Sequence, residues 1–240
     1  MIDWLKRAPV DPQIELNGAV VPITLRRHPS AKRLTLRLAP DGSAVRITLP
    51  QWARANEAIA FAHARNTWLA AQHARIPLRE VPGDGATIQY RGEPVCIIWD
   101  ESAARRPSRD AASLRIGGPR SGIEGRVKRW LEGEARSLFT EDMTYYTSAA
   151  NLAPVPIALS RAQRRWGSCS DKQRIRINWR LVQAPDIIRR SVVAHEVAHL
   201  VHFDHSAAFH ALLDAIFEGD LAQADSWLKT HGRTLYSAFG

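Results

Sequence analysis

The chain has 240 residues, of which 45% are hydrophobic and 24% charged. This is ordinary for one large folded domain or two small ones, and it excludes collagen-like and wholly disordered chains. Lysine and arginine outnumber aspartate and glutamate 33 to 24, a formal +9 that suits acidic partners or substrates and says nothing about fold. The two cysteines, Cys96 and Cys169, sit in no CxxC pair, so a disulfide framework is excluded and a reduced, cytoplasmic setting is expected. The segment Met1–Arg7 shows no apolar core of a secretory leader. No apolar run approaches the ~20 residues of a membrane span.

Two hairpins are predicted first. Ile14–Leu16 and Val20–Leu25 flank Asn17-Gly18, a strong two-residue turn signal. Leu34, Leu36 and Leu38 alternate with polar residues, and the alternation resumes at Val45, Ile47 and Leu49 after Asp41-Gly42. A helical pattern runs from Ala53 to Arg75 and stops at Pro77. A third hairpin, Thr87–Tyr90 and Pro94–Trp99, turns at Arg91-Gly92. A loop follows over Glu101–Arg109, then a short strand at Leu114–Ile116.

The composition shifts at Gly117–Gly122, which divides a strand-rich region, 1–120, from a helix-rich one, 121–240. Val127, Leu131, Ala135, Leu138 and Phe139 predict a long helix reaching Ala150. Strands are predicted at Ile157–Ser160 and Ile175–Asn178. Pro185 opens a helix read as reaching Phe203, Ser206 caps the next, and a third runs from Leu221 to Thr230. The fold class is α+β. Arg161–Arg180 holds seven basic residues and one acid.

His195-Glu196-Val197-Ala198-His199 carries the chemistry. Residues i and i+4 share a helix face, so both imidazoles reach one divalent ion at about 2 Å. Glu196 stands beside them, placed to take a proton from water. A catalytic zinc needs a third protein ligand. His202 lies seven residues from His195, about 10.5 Å of helical rise, too far to close on the same ion. His205 follows the expected helix end and is preferred. Glu218, on the next helix, is the other candidate. Cys169 reads as a small packed residue, and His28, His63, His73 and His231 as residues without a chemical role.

Arg165-Trp-Gly-Ser-Cys-Ser170, Ile175-Arg-Ile-Asn-Trp179, Ala184-Pro185, His195-Glu-Val-Ala-His199 and His205-Ser-x-x-Phe209 together resemble the YgjP-like metallopeptidase family and the related SprT-like zincins. Arg33-Leu-Thr-Leu-Arg-Leu-Ala-Pro-Asp-Gly42 and Trp68-Leu69 extend the resemblance into the first half, to roughly residues 15–235. It implies a zincin-like domain, one Zn²⁺ per chain on His195, His199 and His205, and Glu196 as catalytic base. His210 departs from the Trp often found there. Trp166, Ser168, Arg176 and Asn178 are candidate substrate contacts, and the strand Arg174–Asn178 is expected to edge the cleft.

The implied activity is peptide-bond hydrolysis of a peptide or protein. Two alternatives stay open. One is a metal-dependent nucleoside-triphosphate pyrophosphohydrolase, suited to the arginine-rich segment but lacking a Walker A loop or a carboxylate cluster for Mg²⁺. The other is a nucleic-acid-associated SprT-like protease, allowed by charge but supported by no nucleic-acid-binding motif. No membrane partner is expected, and the sequence does not give an oligomeric state.

Overall fold

The computed structural model describes residues 11–76 and 80–239. The stop read at Pro77 and the segment Met1–Arg7 lie outside the described residues. Contacts divide the chain into two units, one running to Arg79 and one from Glu80 to Phe239.

In the first unit, β1 (Gln13–Leu16) and β2 (Ala19–Arg27) form the predicted hairpin. Asn17 and Gly18 take φ of +53° and +79°, the left-handed pair such a two-residue turn requires. β3 (Thr35–Leu38) and β4 (Val45–Leu49) are antiparallel. β4 lies between β3 and β2, parallel to β2, giving the order β1-β2-β4-β3. Two helices follow, α1 (Ala55–Ala64) and α2 (Asn66–Ala74), where one continuous helix was expected. The break is at Arg65, whose amide turns back to the carbonyls of Ala62 and His63 and tightens the last turn. One sheet face buries Ile14, Leu16, Val21, Ile23, Val45 and Ile47 together with Ala58, Ala62 and Leu69 of the helices. The strand period of two is what puts these apolar side chains on one side.

The second unit opens with β5 (Thr87–Tyr90), β6 (Glu93–Trp99), β7 (Ser108–Arg109) and β8 (Ser113–Ile116), in the order β5-β6-β8-β7. This is the same arrangement as the first sheet, a kinship that the sequence does not display as a repeat. β7 falls in the stretch read as loop.

α3 (Ile123–Ala149) has 27 residues and spans about 40 Å. Ile123, Val127, Leu131, Ala135, Phe139, Met143 and Thr147 recur every four residues and are all buried, a single stripe that explains why this segment is a helix and which side it hides. Ile88, Val95, Ile97, Leu114 and Ile116 of the β5–β8 sheet belong to the same core as that stripe. The composition shift at Gly117–Gly122 therefore lies inside one packed unit. It records a change from strand to helix along the chain, and hydrophobic burial runs across it.

A three-stranded sheet of β9 (Ile157–Ser160), β10 (Gly167–Cys169) and β11 (Ile175–Asn178) has the order β10-β11-β9. β11, expected at the edge, is central. The edges are β9 and β10, the latter a strand of three residues too short to show alternation. After a 3₁₀ turn come α4 (Asp186–Ala198), α5 (Ala207–Ile216) and α6 (Leu221–His231). α4 ends at His199, one turn before the expected Phe203.

The Arg91-Gly92 turn fixes the start of α4. Arg91 and Gly92 donate backbone hydrogen bonds to Val182 and Gln183, at 2.8 and 3.0 Å. The Arg91 guanidinium pairs with Asp186 at the first position of α4. A Cβ on Gly92, which has φ +84°, would stand 2.9 Å from the Pro185 ring. Behind α4, Arg189 makes a two-pronged pair with Asp142 of α3 at 2.7 and 3.1 Å, and both side chains are under a tenth exposed.

Candidate metal centre

His195 and His199 lie one helical turn apart at the end of α4. There Nε2 of His199 comes within 3.1 Å of Nε2 of His195. The chain leaves the helix at His199 and bends back through Phe203-Asp204, and Nε2 of His205 reaches 3.3 Å from the same His195 nitrogen. Ligand atoms of all three lie within 4.8 Å of one another. Tetrahedral bonds of about 2.0–2.1 Å set neighbouring donor nitrogens about 3.3 Å apart, the spacing that His195 Nε2 keeps to both His199 and His205.

Phe209 is the floor of this group. Fully buried, it holds its ring centroid 5.0, 4.6 and 4.8 Å from those of His195, His199 and His205. Ser206 places it: the Ser206 hydroxyl caps α5 by accepting the Phe209 amide hydrogen. Nδ1–H of His199 donates to the carbonyl of His202 at 3.0 Å, which leaves Nε2 as the lone-pair nitrogen. His202 thus contributes its backbone to the centre. Burial, then the neighbouring His199, His205 and His210, hold His195 down to about 4, so it is neutral at pH 7 with its lone pair free.

Glu196, on the same helix, is 5% exposed, and its Oε2 has no hydrogen-bond partner. Burial pushes its carboxyl up to about 7, against the pull of Arg165. Gly167 on β10 lies against it. A Cβ there would stand 2.3 Å from Oε1. An unpaired buried acid beside three imidazoles is tuned for proton transfer near neutral pH.

A cavity of about 450 Å³ opens beside His195 and Glu196, walled by Trp166, Phe209, Leu213 and Leu228. Trp166 is the one candidate substrate contact among the residues lining this cavity. Ser168 is on the edge strand β10, registered against Arg176 of β11. Arg176 is exposed on the central strand. Asn178 is brought elsewhere. It is fully buried, donates to Ala162 O and Tyr236 Oη, and accepts from the Arg180 amide.

Glu218 is also drawn away, accepting from Tyr146 Oη at 2.8 Å and pairing with Arg190 at 2.9 Å. Burial and the Glu196 charge push the Cys169 thiol up, which keeps it a thiol. The roles of Phe209, Gly167 and the His202 carbonyl are not readable from residue type. Only the four-residue step from His205 to Phe209 hints at the first.

An α+β unit whose helix presents two imidazoles and a buried carboxylate, with a third imidazole folded back over them, is a zincin-like metallopeptidase domain. The family model described as YgjP-like, metallopeptidase domain, matches residues 32–231, and the chain belongs to that family. A metallopeptidase-type hydrolase that uses a metal ion follows. Searches of curated proteins and of solved structures find no match. Among the described residues, no helix is long and apolar enough to cross a membrane.

Proposed function

We propose that this chain is a zinc metallopeptidase in which His195, His199 and His205 hold one ion and Glu196 is the general base. The observation that carries it is the convergence of three Nε2 atoms next to a buried carboxylate oxygen without a partner. Zinc, when bound, supplies a Lewis acid and an acidified water. Glu196 accepts the proton of the water that attacks the peptide carbonyl and returns it to the leaving nitrogen. The His199–His202 contact keeps one imidazole in its ligating tautomer. An extended peptide would add to the sheet along edge strand β10, whose Gly167 lies beside Glu196. Two free cysteines suit the reducing cytoplasm.

The test is zinc content with peptide turnover. Glu196→Gln is expected to keep one zinc per chain and lose hydrolysis. His205→Ala is expected to lose the zinc, and Glu218→Ala to keep it. Full turnover by Glu196→Gln, or stoichiometric zinc in His205→Ala, overturns the assignment.

A further inference from the structure

A second cavity, about 1030 Å³, shares no lining residue with the histidine centre. Arg105, Arg106, Arg126 and Arg129 line it, against Glu124 and Glu134. Glu134 is engaged with the Tyr90 hydroxyl at 2.6 Å. Elsewhere in this unit Arg91, Arg115, Arg120, Arg161, Arg189 and Arg190 each meet a carboxylate. Among the described residues, the four lining arginines make no such pair.

Arg126 is the informative one. It is 8% exposed, yet among the described residues its guanidinium hydrogen-bonds only Pro119 O, from Nη2 at 2.6 Å, and its Nε is buried without a partner. A buried guanidinium with an unmet donor and no carboxylate beside it is costly unless an anion compensates it. Gly122 makes room for it, since a Cβ there would stand 2.6 Å from Nη1. Gly122 is also the N-cap of the 27-residue α3, so the positive end of a long helix adds to the same field.

We propose that this cavity binds clustered phosphate groups, those of a free oligophosphate or of a nucleic-acid backbone. Guanidinium forks match phosphate oxygens in pairs, and four of them around one cavity exceed what a single carboxylate needs. The site is separate from the hydrolytic centre and stands or falls without it.

Calorimetric titration at low salt tests it, with inorganic tripolyphosphate and a short oligothymidylate as probes, on the protein as purified and after chelation. At least one probe is expected to saturate in both preparations. Arg129→Glu or Arg106→Glu is expected to weaken binding at least about tenfold, while Arg136→Glu, the same charge change on an exposed residue of α3 outside the cavity, leaves it within about twofold. Saturation by tripolyphosphate alone identifies a free oligophosphate, and saturation by the oligonucleotide alone identifies a nucleic-acid strand. The proposal is overturned if neither probe saturates, if Arg136→Glu weakens binding as much as Arg129→Glu, if chelation abolishes binding, or if oligoglutamate binds as tightly as the phosphate probes.

Discussion

Gly167 leaves the space that the Glu196 carboxylate fills, for a single methyl group at that position would lie 2.3 Å from Oε1. Strand β10 therefore sets the position of the base. Gly167→Ala must displace the carboxylate while leaving the three imidazoles where they are. Zinc content is expected to stay at one per chain, and kcat for peptide hydrolysis to fall about 10²-fold. Unchanged kcat in a correctly folded variant would refute the positioning role.

The His202 contribution is a backbone carbonyl, so its side chain is dispensable. His202→Ala is expected to keep zinc at wild-type stoichiometry, in contrast to His205→Ala. Metal analysis after gel filtration separates the two.

Phe209 supports all three rings from one side. Phe209→Ala is expected to cost about 3–5 kcal/mol of stability through the cavity it opens. Phe209→Leu refills most of that volume without the flat ring. It is expected to fold and to release zinc to a chelator faster than wild type, followed by stopped-flow with a zinc indicator.

The Arg189–Asp142 pair is buried, and removing Asp142 leaves the buried guanidinium with only its second, half-exposed partner, Asp186. Asp142→Ala is expected to lose about 3–5 kcal/mol in urea unfolding, and the double variant Asp142→Leu, Arg189→Met to lose less.

Burial pushes Asp186 up, but the hydrogen bond from Arg91 and the charges of Arg189 and Arg91 outweigh it and hold the carboxyl below its usual range. A depressed carboxylate stabilises the fold fully above its unfolded value, near 3.9, and that contribution is lost as pH falls through the lower folded value. Asp186→Asn is therefore expected to destabilise the protein at pH 6 and to reduce the stability difference between pH 6 and pH 3. Equal pH slopes for the two proteins in urea titrations would contradict this.

Much of this was legible because the signals are local. Asn17-Gly18 and Arg91-Gly92 state their turns through residue types that accept positive φ. Val127, Leu131, Ala135 and Phe139 state a helix and part of its buried side. His195 and His199 state a shared face. What was hidden is non-local. Strand β4 pairs with β2 across an intervening strand, and nothing in Val45–Leu49 names its second neighbour. The edge strand β10 is Gly-Ser-Cys, with no alternation to read. The early end of α4 comes with a contact from Nδ1 of His199 to the His202 carbonyl, and the removal of Asn178 and Glu218 from the site depends on partners 58 and 72 positions away in the chain.

The grip of the Arg91-Gly92 turn on Pro185 and Asp186 joins segments 95 positions apart. Such a closure is slow to form, because chain entropy is spent before the contact is made. The histidine cluster is therefore expected to be completed late in folding, after the upstream sheet has seated the helix that bears it. A fragment starting at Gly122 would carry every ligand in its sequence and lack the clamp that brings them into register.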